Sequence, residues 1–204
     1  MKTENLLLVV AVIAVIVSVI GAGLTYDSVT TLRQWITGFA TDAGTINLSV
    51  GSQALINFTT NNIDWGAGNV TEGMSQALLS TADGTNANGT WGSVSQGLVV
   101  ENIGNQNVTL NVTFGKTADD FIGGTNPSYQ YNITNSEADS CTANAGFNLD
   151  TWNESTTITT AVCDDFHYGQ GEDEITIDIK LVIPQDSDTG ALGDTVTLTY
   201  EAVT

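Results

Sequence analysis

Lysine and arginine are almost missing from this chain: together they number 4 among 204 residues, against 23 Asp and Glu, for a formal net charge of -19. That scarcity excludes binding to nucleic acid by neutralising phosphates, which needs clustered Lys and Arg. It also excludes docking of the body on anionic lipid headgroups. Proline is nearly absent too, with 2 residues, as are histidine, with 1, and cysteine, with 2. A single histidine leaves no His-based zinc signature, and no HExxH, phosphate loop or serine-nucleophile motif occurs. Charged residues make up only 13% of the chain, so this is not a disordered polyelectrolyte, and the acidity reflects missing bases.

What the chain does have is one long apolar run, Leu6–Leu24 (LLLVVAVIAVIVSVIGAGL), with no charge in it. A helix crossing the hydrocarbon core needs about 20 mostly apolar residues, and the run meets that length. The expectation is a retained membrane helix; Gly21, Ala22 and Gly23 leave cleavage as a secretory signal as the alternative. Val29, Leu32, Ile36 and Phe39 continue at helical spacing, as a stripe for packing on a neighbouring helix. Residues 1–40 therefore read as an anchor or assembly helix with an amphipathic extension, and residues 41–204 as one domain with its own core. Lys2 before the run and the acidic body after it put the amino terminus in the cytoplasm and the body outside the cell.

The body reads as strands of period two. Ile46, Leu48 and Val50 alternate with polar residues, as do Ile56 and Phe58, and Val108 to Phe114. The same pattern runs through Ile175 to Ile183 and Val196 to Ala202, with weaker runs at Leu98–Asn102, Tyr129–Thr134 and Thr156–Val162. Residues 81–90 and 135–154 read as long polar loops, with Trp65, Trp91 and Trp152 in or beside loops as packing plugs. Short strands between Gly, Asn and Asp clusters describe an antiparallel β-sandwich. Cys141 and Cys163, in an outward-facing body, are expected to form a disulfide.

Sequons stand at Asn47, Asn57, Asn69, Asn88, Asn107, Asn111, Asn132 and Asn153. Asn47, Asn57 and Asn111 fall on the polar faces of their strands, where a glycan has room. Asp186, Asp188 and Asp194 punctuate one turn and supply the hard oxygen ligands that suit Ca2+. A second acidic cluster is Glu172, Asp173 and Glu174, and His167 lies close to Asp164 and Asp165. No set of residues fills the nucleophile, base and orienter roles together, so the chain reads as no enzyme.

Two segments resemble Ig-like surface modules: Gly97–Thr113 (GLVVENIGNQNVTLNVT), as a strand–NxGN–strand hairpin, and Leu181–Ala202 (LVIPQDSDTGALGDTVTLTYEA), as a closing hairpin. With 36–50 and 56–65, the chain resembles short membrane-anchored surface proteins of archaea and is similar in plan to archaeal pilins and other filament subunits. The resemblance implies a mainly β chain, an Ig-like antiparallel β-sandwich preceded by one hydrophobic helix. It further implies a structural surface protein whose partner is itself, as a homo-oligomer or filament; a monomeric anchored adhesin or glycan-binding module is the alternative. The chain departs from the pilins at Met1–Asn5, which offers no basic leader ending in a small residue, and Glu4 sits before the run rather than inside it. Prepilin-type processing is therefore not carried over. Strand donation between copies is another route to a filament, with 45–50 and 195–202 as the segments to watch.

Overall fold

The computed structural model describes residues 11–19, 48–49 and 51–203. The chain divides into two units, Met1–Ser49 and Val50–Thr204. In the first, residues 11–19 form helix α1, with every described side chain exposed. Its one polar side chain, Ser18, donates its hydroxyl to the Ala14 carbonyl at 2.8 Å, which satisfies the group inside an apolar run. Among the described residues no helix is long and apolar enough to cross a membrane. The ends of Leu6–Leu24, the stripe Val29, Leu32, Ile36 and Phe39, and Asn47 lie outside the described residues.

The second unit is mainly β and antiparallel, consistent with a β-sandwich. Its strands are β1 (Ile56–Thr60), β2 (Gln76–Ser80), β3 (Asn86–Ala87), β4 (Leu98–Asn102), β5 (Val108–Phe114), β6 (Ser128–Asn135), β7 (Cys141–Ala143), β8 (Asn153–Glu154), β9 (Thr160–Phe166), β10 (Glu174–Pro184) and β11 (Val196–Ala202). A single helical turn, α2 (Ala118–Phe121), is capped by Thr117. The first sheet is built on β10, which pairs with β4, β2 and β6; β1 adds to β4, β3 to β2 and β8 to β6. The second sheet runs β11-β5-β9-β7.

Side-chain alternation explains the core. Ile175, Ile177, Ile179, Leu181 and Ile183 of β10 face inward with Leu98, Val100, Tyr131 and Ile133, against Val108, Leu110, Val112 and Phe114 of β5. Phe114 joins the sheets, its ring centroid lying 5.3 Å from Tyr129 and 4.7 Å from Tyr131. Such pairs add about 1 kcal/mol each beyond area burial. Phe147, from the segment read as a loop, stacks on Tyr131 and is buried.

Four features differ from the sequence reading. The two segments read as hairpins are crossings between sheets, since β4 and β10 lie in the first sheet while β5 and β11 lie in the second. Strand β2 carries no alternating pattern, because Leu78 is half-buried on the face opposite Ala77 and Leu79. Both polar loops contain short strands: β3 in one, β7 and β8 in the other. Strand β9 begins at Thr160 and runs through Asp164 and Asp165 to the buried Phe166; the acids occupy less buried positions of a strand whose Val162 and Cys163 are core.

The crossing from β4 to β5 is held by Asn102, which is 1% exposed. Its side-chain amide donates to the Gln106 and Phe166 carbonyls, both at 3.1 Å, and its carbonyl oxygen accepts from the Gly104 N–H at 3.1 Å. Phe166 belongs to β9, so one side chain bonds across both sheets. Gly104 passes so close to the Gln53 carbonyl that a Cβ there would collide with it.

Asn102→Leu strands all three of these partners. It should cost about 3 kcal/mol in urea unfolding, while Ile103→Ala, at an exposed position, should leave the midpoint unchanged. Cys141 and Cys163 are bonded, with a sequence separation of 22. The chain-entropy relation gives about 3 kcal/mol for a loop of that order, so Cys141→Ala with Cys163→Ala should lower Tm by about 10 °C in calorimetry.

Candidate functional site

The disulfide joins β7 to β9, neighbours in the second sheet. It closes the segment that carries Phe147 onto the core strand β9. Just past β9, the His167 N–H donates to the Ser140 carbonyl at 2.9 Å. Its ring lies between two carboxylates, Nε2 at 3.3 Å from Asp165 and Nδ1 at 3.7 Å from Glu172. The nearby Ser140 hydroxyl donates to the Glu137 carbonyl at 2.9 Å, so it is not directed at the imidazole. The ring thus bridges β9 and the turn that precedes β10.

Asp186, Asp188 and Asp194 do not gather as one set: the first two lie over Gly123 and Gly124, and Asp194 lies at Gly115 and Tyr129. Asp186 accepts from the Thr125 N–H at 2.9 Å and from the Thr125 hydroxyl at 2.7 Å, and these bonds hold its carboxyl below the ordinary range. Asp188 covers Gly123, where a Cβ would lie 2.7 Å from the carboxylate carbon and where φ is +68°. Asp194 lies beside the Tyr129 phenol, whose ionisation is suppressed by burial first and by this carboxylate second. Among the described residues no group of three or more His, Cys, Asp or Glu is placed to hold a metal ion. Asp186 and Asp188 instead fasten the β10–β11 crossing to the turn after α2, while Asp194 lies against Tyr129 of β6.

The other acidic cluster is assembled by the first sheet. Glu101 lies opposite Glu174 in the β4–β10 register, and the Asp173 N–H donates to the Glu137 carboxylate at 3.0 Å. Desolvation, then the Glu137 carboxylate as hydrogen-bond partner and as charge, then Glu101, push the Asp173 carboxyl up to about 6. Glu172 of the same sequence cluster turns to His167 instead.

Of the sequons, Asn57, Asn69 and Asn88 are exposed, and Asn107, Asn111, Asn132 and Asn153 are half-buried. Asn69 and Asn88 lie close together: Val70 bridges Gly89, and the Thr90 N–H donates to the Asn69 carbonyl at 3.0 Å. Asn132 lies opposite Asp178 and its side-chain oxygen is enclosed, which leaves the least room for a glycan. Trp65, Trp91 and Trp152 are packing elements. Trp65 lies against the core, Trp91 covers Gly68 and Gly89, and Trp152 takes the Lys180 ammonium at 4.3 Å from its ring.

One feature was not legible in the sequence. Strand β1 is an edge of the first sheet and β11 an edge of the second, and a cleft of about 230 Å³ lies between them, lined by Ile56, Asn57, Phe58, Leu198 and Tyr200. Alternation marks these residues as half-buried strands; only the sheet order makes both strands edges on one side of the body.

The Asp173 carboxyl fixes a pH dependence. Folding raises it from the reference 3.8 to about 6, so between those values the folded state holds a proton that the unfolded state releases. Stability therefore falls as pH rises through this window, and the penalty is complete above it. Discounted for solvent screening at a partly exposed group, it amounts to about 1 kcal/mol. Asp173→Asn should raise Tm by about 3 °C at pH 7.5 and leave it unchanged at pH 3.5, measured by thermal melts at both pH values. No family model, curated protein or solved structure matches this chain.

Proposed function

We propose that this chain is a non-catalytic structural protein of the cell surface, a subunit of an extracellular pilus-like filament or related surface assembly. The observation that carries the reading is the order of parts. A charge-free apolar run, Leu6–Leu24, precedes an acidic antiparallel β body tied by Cys141–Cys163. The run serves as membrane anchor or filament core. The disulfide supports an oxidising, extracellular setting for the body. Described sequons, of which none is buried, support a glycosylated exterior.

We read the body as Ig-like within the same proposal, supported by the two crossings between sheets. The disulfide lies within one sheet, unlike the inter-sheet bridge of antibody domains. Mechanism here means assembly. Apolar surfaces of neighbouring subunits pack, while a net charge of -19 repels bodies that approach without such contacts and keeps the exterior soluble.

Electron microscopy of surface material purified from cells expressing the tagged full-length chain tests this. Ordered fibres labelled by the tag are expected. A detergent-soluble monomer that binds a glycan array would replace this reading with that of an anchored adhesin.

A further inference from the structure

We infer that the cleft between β1 and β11 is the seat of a strand from a second copy of this chain, residues 45–50, added beside β11. This rests on the assembly reading above and names the contact that joins the bodies.

The cleft shows the marks of a missing neighbour. Among the described residues strand β1 pairs only with β4, and β11 only with β5, so within that set each presents an unpaired row of backbone N–H and C=O groups. The inward residues of β5, Val108, Leu110, Val112 and Phe114, are at most 1% exposed. Those of β11, Val196, Leu198 and Tyr200, contact the same core but stay half-buried, as do Ile56 and Phe58 of β1. Of the two edges, β11 is the longer and its register with β5 is unbroken, whereas β1 carries an irregularity between Phe58 and Thr60.

The occupant is argued from the chain itself. Thr45–Val50 (TINLSV) alternates like a half-buried strand, and Leu48 is 84% exposed. The segment has no charge and so can approach a body whose net charge keeps other surfaces apart. Added beside β11, Ile46, Leu48 and Val50 would fill the cleft against Ile56 and Phe58, while Asn47 and Ser49 would take the outer face by alternation. The sequon at Asn47 would remain in solvent.

The chain leading into β1 is fixed at the β4–β5 crossing. Asn105 donates its side-chain amide to the Gly51 carbonyl at 2.9 Å and accepts from the Gln53 N–H at 2.6 Å, and its own N–H donates to the Gln53 carbonyl at 2.9 Å.

Cross-linking in intact assemblies of the full-length chain tests the inference. Copies bearing Ser49→Cys and copies bearing Thr199→Cys, each with a different tag, are co-expressed and mildly oxidised, with Thr197→Cys as a second register. A cross-linked species carrying both tags is expected, and neither single variant should cross-link to itself. A bond formed only within a chain carrying both substitutions would overturn the inference in favour of self-insertion. Cross-linking of Thr199→Cys to itself would overturn it in favour of β11–β11 pairing. Fibres with no cross-link in either register would overturn it and leave the filament reading standing, whereas no ordered assembly at all would end both. Leu48→Asp, with Leu48→Ile as the conservative control, should lower fibre yield roughly tenfold or more while the Tm of the body is unchanged; undiminished fibres would count against the inference.

Discussion

The bond on which the body depends is the set made by the Asn102 side chain. Two sheets packed face to face need a reason to stay in register, and apolar packing alone is non-directional. A buried amide that donates to Phe166 of the second sheet from a strand of the first supplies direction. The same crossing contains Gly104 and Asn105, which receive the chain at Gly51 and Gln53 just before β1. One short stretch therefore sets how the sheets join and where the first strand begins. It also leaves β1 at an edge of its sheet.

Groups that look reactive in the sequence are engaged in holding crossings and turns. Asp186 and Asp188 close over Gly123 and Gly124, where positive φ and the absence of a Cβ allow the approach. His167 spans Asp165 and Glu172. Asp178, 8% exposed on the face of β10 opposite the core, accepts from the Thr81 hydroxyl at 2.7 Å, and that hydroxyl in turn accepts from the Ile179 N–H. In a chain so short of Lys and Arg, acids find hydroxyl and backbone donors where other proteins would use salt bridges. Hydrogen bonds to Thr125 serve Asp186 in this way, whereas Asp173, desolvated and beside the carboxylates of Glu137 and Glu101, keeps its proton to a higher pH.

The scarcity of bases also shapes any assembly. Like-charged bodies separate unless an uncharged surface brings them together, and the described surface has such a place between β1 and β11. The half-buried Leu198 and Tyr200 on one edge and Ile56 and Phe58 on the other are compatible with a soluble body only while the cleft is small. A neighbour's strand would convert these partial contacts into core. In the proposed assembly this would link the acidic composition to the open edge.

The sequence by itself determined the strands with one buried face. The ranges read for Leu98–Asn102, Val108–Phe114 and Val196–Ala202 coincide with β4, β5 and β11, because period two is imposed locally by the pleat. It also determined the pairing of Cys141 with Cys163, since no other cysteine exists. What only the tertiary structure decided was which strands share a sheet. A short polar connection serves equally for a hairpin and for a crossing, and the choice at 102–107 was made by a buried Asn102 contact with Phe166, far along the chain. The short strands β2, β3, β7 and β8 were hidden for the same reason: burial on both faces or pairing over two or three residues leaves no alternation to read. The separation of Asp194 from Asp186 and Asp188 and the open side between β1 and β11 are likewise products of sheet order, which depends on contacts that adjacent residues do not encode.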